Sequence, residues 1–151
     1  MADVRSVEMS EDELHEFLEH GGTGIVSFGA GTDEAPYQLP VSYGYDVPSE
    51  DFYFRFGFET ETEKGSFIEE GRPVSFVTYD HTDSGWRSVV ATGELEEVTE
   101  AEIGSEASEA IRRLEIPLVD VFEHPTDEVT FRFFRLLADD VSGRKEAPSE
   151  G

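Results

Sequence analysis

The chain has 151 residues, no cysteine and a formal net charge of −24, with 35 acidic side chains against 11 basic ones. That charge argues against nucleic acid as a partner, because polyphosphate is repelled and no basic stripe offsets the repulsion. The lack of cysteine excludes disulfides, thiolate metal sites and a cysteine nucleophile. The length suits one domain with a full core, and the expected organisation is a single domain over 1–145 with a disordered tail over 146–151. The N-terminus MADVRSVEMSEDELHE has no apolar signal core and no apolar run approaches a membrane span, so the expectation is a soluble, cytoplasmic protein. Acidic residues are spread along the whole chain, which reads as a solvated surface of halophilic type. In molar salt the Debye length falls to about 3 Å and self-repulsion is largely cancelled.

In chain order, Ser10 and Glu13 form a capping box, and Leu14, Phe17 and Leu18 recur at helical spacing until Gly21-Gly22, which predicts a helix over about 11–20. Short strands are expected at Gly24–Phe28, Tyr37–Tyr45 and Phe52–Gly57, the last two forming a hairpin. Thr60 and Glu63 can cap a short helix through Ile68, ended by Gly71 before Pro73. Strands follow at Val74–Tyr79 and from Trp86 to about Val98. Thr99 and Glu102 then cap a helix with the apolar stripe Ile103, Ala107, Ala110, Ile111 and Leu114. The last strand is expected from Val129 to about Leu137, and the chain from Ser142 onward reads as exposed tail. Six strands with few, short helices predict a mainly β fold, an antiparallel barrel rather than a doubly wound sheet.

Alternation sorts the faces. Phe52, Phe54, Phe56 and Phe58 share one face of their strand and must be core, each worth roughly 1.5–3 kcal/mol when buried. Arg55 then points away from the core. Leu39, Val41 and Tyr43 make the apolar face of the preceding strand, with Ser42 opposite. In the later strand Trp86 groups with Ser88, and Arg87 falls on the other face; parity does not say which of these two faces is interior. Lys64 is one of two lysines in the chain and follows the Arg55 strand at a predicted helix start. Free N–H groups at a helix N-terminus beside Lys and Arg suit a phosphate; pairing with Glu61 or Glu63, worth under about 1 kcal/mol, is the structural alternative.

The succession Pro40-Val-Ser-Tyr-Gly-Tyr-Asp46, Phe52-Tyr-Phe-Arg-Phe-Gly57, Glu63-Lys64-Gly-Ser-Phe, Arg72-Pro-Val-Ser-Phe-Val77 and Trp86-Arg-Ser-Val-Val-Ala-Thr-Gly-Glu-Leu95 resembles the pyridoxamine 5′-phosphate oxidase-like family of FMN-binding split barrels. The closing Val141-Ser-Gly-Arg-Lys145 is similar too. The resemblance implies a six-stranded antiparallel split barrel that forms a homodimer with FMN at the interface, acting on a small-molecule substrate. By position it implies that Lys64 binds the FMN phosphate, flanked by Arg55 and the Phe56-Gly57 backbone. Val41, Ser42 and Tyr43 would run beside the ring, and Trp86 and Ser88 would line its other side. Trp86 also suits a plain core or interface aromatic, and Tyr43 a core residue.

The oxidase proper carries an arginine- and histidine-containing segment near its C-terminus, and Phe131–Asp140 holds no histidine, so oxidation of pyridoxamine phosphate is not expected. The implied function is a flavin-dependent oxidoreductase; the alternatives are a non-catalytic flavin carrier or sensor and a cofactor-free interaction module. No residue is assigned a catalytic role, and the four histidines show no metal-ligand spacing.

Overall fold

The computed structural model describes residues 4–29, 33–58, 73–98 and 130–148, with side chains given except at 4, 56–58, 130–132 and 148. Its elements are β1 (Val4–Glu8), α1 (Glu11–Leu18), β2 (Gly22–Phe28), β3 (Tyr37–Asp46), β4 (Asp51–Phe58), β5 (Val74–Thr82), β6 (Gly85–Val98) and β7 (Thr130–Pro148). The strands lie in the order β1-β7-β4-β3-β2-β5-β6, and β6 returns to pair with β7. Six antiparallel strands therefore close into a barrel, and β1 is added outside the ring, on the end of β7. This is the expected six-stranded barrel with one strand more. The helices predicted over 60–68 and 99–114 lie outside the described residues.

The capping box forms as expected. Glu13 N–H donates to Ser10 Oγ at 3.2 Å and Ser10 N–H to Glu13 Oε1 at 3.1 Å. α1 ends at Leu18, short of the expected residue 20, with Gly21 at φ 66° just beyond it. Leu14, Phe17 and buried Leu18 close one end of the barrel with Met9.

The largest correction concerns the C-terminus. The last strand was expected to stop near Leu137 and residues 146–151 to be disordered, but β7 continues to Pro148; residues 149–151 lie outside the described ones. Polar, charged Asp139–Glu146 carries little apolar signal, yet three partners share its backbone. Residues 130–136 pair with β4, 133–145 with β6, and 144–148 with β1. Backbone hydrogen bonds to strands distant in sequence hold it, so side-chain pattern is a poor guide here. The register slips between Thr92 and Gly93, where Thr92 faces Asp140 and Gly93 faces Ala138, leaving Asp139 as a bulge. A side chain at Gly93 would put Cβ 2.1 Å from the Leu137 carbonyl oxygen, so only glycine lets the two backbones pass.

The core is aromatic. Phe76 packs its ring against Phe54 (4.7 Å between centroids), Tyr43 (5.2 Å) and Phe52 (5.7 Å), mostly edge to face. Phe28, Phe134, Leu136, Val26, Val89 and Ala91 complete it. Of the four β4 phenylalanines expected inside, Phe52 and Phe54 are fully buried; the side chains of Phe56 and Phe58 are not among those described. The β3–β4 wall is buried on its outer side as well, at Ser42, Asp46 and Tyr53. There a cross-strand row runs from Tyr53 on β4 to Arg135 on β7 to Glu96 on β6, closed by Arg135 Nη2 donating to Glu96 Oε2 at 2.7 Å.

Candidate functional site

Alternation along β3 and β4 separates the expected site residues into two groups. Val41 and Tyr43 point into the core, where burial pushes the Tyr43 phenol above its ordinary value. A ligand outside the barrel could meet these two only through their backbone. Ser42 and Arg55 point outward and are direct cross-strand partners. Across β4, Arg55 faces Phe133. Arg55 is half-buried, and loss of solvent lowers its pKa, though a guanidinium remains charged at any physiological pH. Phe56 and Gly57 continue β4 opposite Arg132 and Phe131. Lys64 lies outside the described residues.

The structure decides the face that parity left open on β6. Val89 and Ala91 are inside, so Trp86, Ser88 and Val90 are outside. The β5–β6 hairpin sets Tyr79 opposite Ser88 and His81 opposite Trp86. Trp86 stacks edge-on to His81 at 5.0 Å and lies 6.2 Å from Tyr79. These are large apolar groups in water: Tyr79 is 63% exposed, Trp86 50% and Val90 40%. Exposed aromatics gathered on one sheet face mark a surface built to be covered.

A groove of about 250 Å³ opens beside them, lined by Tyr79, Trp86, Arg87, Ser88, Arg144 and Ser6 among others. Arg144, opposite Ser88 across β6–β7, is held by Ser6, with Nε donating to Oγ at 3.0 Å and Nη2 to the carbonyl at 2.8 Å. Trp86 N–H donates to Glu146 Oε1 at 3.3 Å. Arg87 Nε is buried with no hydrogen-bond partner. A buried donor left unmade costs about 1–3 kcal/mol, and Arg135 Nε is left in the same state. A larger depression of about 400 Å³, between Pro36, Pro73 and Asp139, holds none of the expected residues.

The two groups share the outer wall. Arg55 pairs with Ser42 and Ser42 with Thr23 on β2; Thr78 of β5 donates to the Thr23 carbonyl at 2.8 Å, and the next residue, Tyr79, leads to Ser88 and Arg144. From β3 to β6 is three strand spacings, about 14 Å at ~4.8 Å each. Sequence reasoning did not single out Tyr79 or Arg144, which line the groove. Tyr79 was within reach: Asp83-Ser84 makes a two-residue turn between Thr82 and Gly85, and that turn sets the hairpin register. Arg144 was not, since its place depends on how β7 closes the barrel.

The model of the pyridoxamine 5′-phosphate oxidase family matches residues 10–145. The chain belongs to this family. Solved structures of the same fold include an FAD-binding protein from Mesorhizobium loti, 24% identical, with a TM-score of 0.67 over 97% of this chain and 99% of that one. An FAD-binding protein from Mycobacterium smegmatis is 20% identical, with a TM-score of 0.65 over 93% and 99%. An FAD- and heme-binding protein from Mycobacterium smegmatis is 15% identical, with a TM-score of 0.60 over 97% and 74%. At these identities the likeness is one of fold. No curated protein matches the chain. Among the described residues, no helix is long and apolar enough to cross a membrane.

Proposed function

We propose that the protein binds FMN and acts as a flavin-dependent oxidoreductase on a small molecule, working as a homodimer with the flavin at the interface. The observation that carries this reading is the outer wall. Exposed Tyr79 and Trp86 adjoin a groove on the same side of the barrel as buried Ser42 and its half-buried partner Arg55. Because Ser42 and Ser88 stand about 14 Å apart along one chain, two copies facing each other would bring one chain's Arg55 side towards the other's Trp86 side.

The residues fit the group. An isoalloxazine offers a flat apolar surface for Trp86 and Tyr79 and an acceptor-rich edge for Ser88 Oγ. Its phosphate suits Arg55 and Lys64, two of only 11 cationic side chains in the chain. When bound, the flavin supplies hydride transfer. This chain's residues bind it, orient it and exclude water.

The test is to incubate the purified full-length protein with excess FMN, and separately FAD, at high salt, then to remove free flavin and read flavin per chain and molecular mass. One FMN per chain in a dimer is expected. FAD is the essential comparison because the three neighbours of this fold named above are FAD-binding proteins. A colourless, flavin-free protein overturns the reading. Reduction of the bound flavin by a nicotinamide cofactor, followed by reoxidation by an acceptor, distinguishes an oxidoreductase from a carrier. FMN affinity should also rise with salt over the low range, because screening removes the long-range repulsion between its phosphate and a chain of charge −24. A steady fall would contradict the electrostatic account.

A further inference from the structure

On α1, Glu11 and His15 stand one helical turn apart. Residues four apart share a helix face, so the pair projects together, while Glu13 is engaged by Ser10 and Lys145. Glu50 reaches the same point from the turn between β3 and β4. One donor atom from each of the three lies within 4.8 Å of the others, and His15 Nε2 is 3.4 Å from Glu50 Oε1.

The turn that presents Glu50 is firmly held. Glu50 N–H donates to the Asp46 carbonyl at 2.7 Å, and Ser49 Oγ donates to Asp46 Oδ2 at 2.7 Å. Among the described residues neither Glu11 nor Glu50 forms an ion pair with lysine or arginine; Arg135 pairs with Glu96 and Lys145 with Glu13. The Tyr45 ring lies 5.8 Å from that of His15. Two carboxylates therefore converge on one imidazole, and among the described residues no lysine or arginine pairs with them.

We propose that Glu11, His15 and Glu50 form a divalent metal site for a first-row transition ion of the Zn²⁺, Co²⁺ or Ni²⁺ kind. One nitrogen and two oxygen donors suit these ions, whereas Mg²⁺ and Ca²⁺ favour all-oxygen sets. The 3.4 Å between His15 and Glu50 is close to the ligand-to-ligand edge of about 3.3 Å expected for tetrahedral bonds of ~2.0–2.1 Å. Glu11 is exposed and closes the set by a side-chain rotation. Three protein donors leave the remaining position to water. The ion would tie α1 to the β3–β4 turn and so favour the folded chain, since the three donors are brought together only by folding. The site is independent of the flavin reading.

The experiment is equilibrium dialysis of the chelator-treated full-length protein against Co²⁺ at constant salt, with thermal melting alongside. One ion per chain and a higher melting temperature with metal are expected. His15→Gln and Glu50→Gln should each weaken binding by about tenfold or more, as loss of a direct ligand costs at least what loss of its supporting contact does. If the wild type binds no tighter than these variants, His15 and Glu50 form only an ion pair and the proposal is overturned. The same holds if His20→Gln abolishes binding and His15→Gln does not. Should a variant fail to fold, NMR of the wild type decides: Co²⁺ must broaden the His15 ring signals ahead of those of His20 and His81.

Discussion

Phe52 and Phe54 point into the barrel from β4, while Tyr53 and Arg55, alternating with them, point out of it. The same contrast holds on β6, where Val89 and Ala91 face inward and Trp86, Ser88 and Val90 outward. Inside, the chemistry is mostly apolar and aromatic. Outside, it is mixed: buried Ser42 beside half-buried Arg55, with Trp86 and Tyr79 exposed. The inner face therefore accounts for stability, and the outer face holds what stability does not require.

If this division is right, substitutions on the two faces should separate stability from binding. The largest effect is expected inside. Phe76→Ala removes a ring packed against three others and should cost about 3–5 kcal/mol in chemical denaturation; a loss below about 1 kcal/mol would mean that the core is not organised around it. Next, Lys64→Ala should weaken FMN binding by about 1.5–3 kcal/mol, the value of a charged hydrogen bond, with an unchanged denaturation midpoint; an unaltered dissociation constant removes Lys64 from the phosphate site. Trp86→Ala should leave the stability of the single chain within about 0.5 kcal/mol yet weaken dimerisation by more than about 1 kcal/mol. If sedimentation shows association unchanged, Trp86 is not at the interface.

The smallest effect concerns α1. Hydrogen bonding from Lys145, and then from the Ser10 backbone, lowers the Glu13 carboxyl from its ordinary 4.5 to about 2. A depressed carboxyl contributes stability that is fully present above 4.5 and is lost as pH falls towards 2. Acid titration of stability should therefore be flatter between pH 4.5 and 2 in Glu13→Gln than in the wild type. Parallel curves would show that Glu13 does not couple α1 to β7.

The sequence by itself determined the capping box of α1, five of the seven strands to within a few residues, the inward aim of Phe52, Phe54, Val41 and Tyr43, and the outward aim of Arg55. These follow from periods of 3.6 and 2 and from local hydrogen bonding, all contained in short windows of chain. Only the tertiary structure decided that β7 runs on to Pro148, that β1 exists, and that Trp86 and Ser88 lie outside. It also decided that Arg144 stands opposite Ser88 and that Glu50 meets Glu11 and His15. Each of these depends on barrel closure, which pairs residues far apart in sequence. β1 and the end of β7 illustrate the physical reason: both are polar and neither holds its place by burying an apolar face. They are held by backbone hydrogen bonds to each other and to β6, an interaction that leaves no mark on the pattern of side chains.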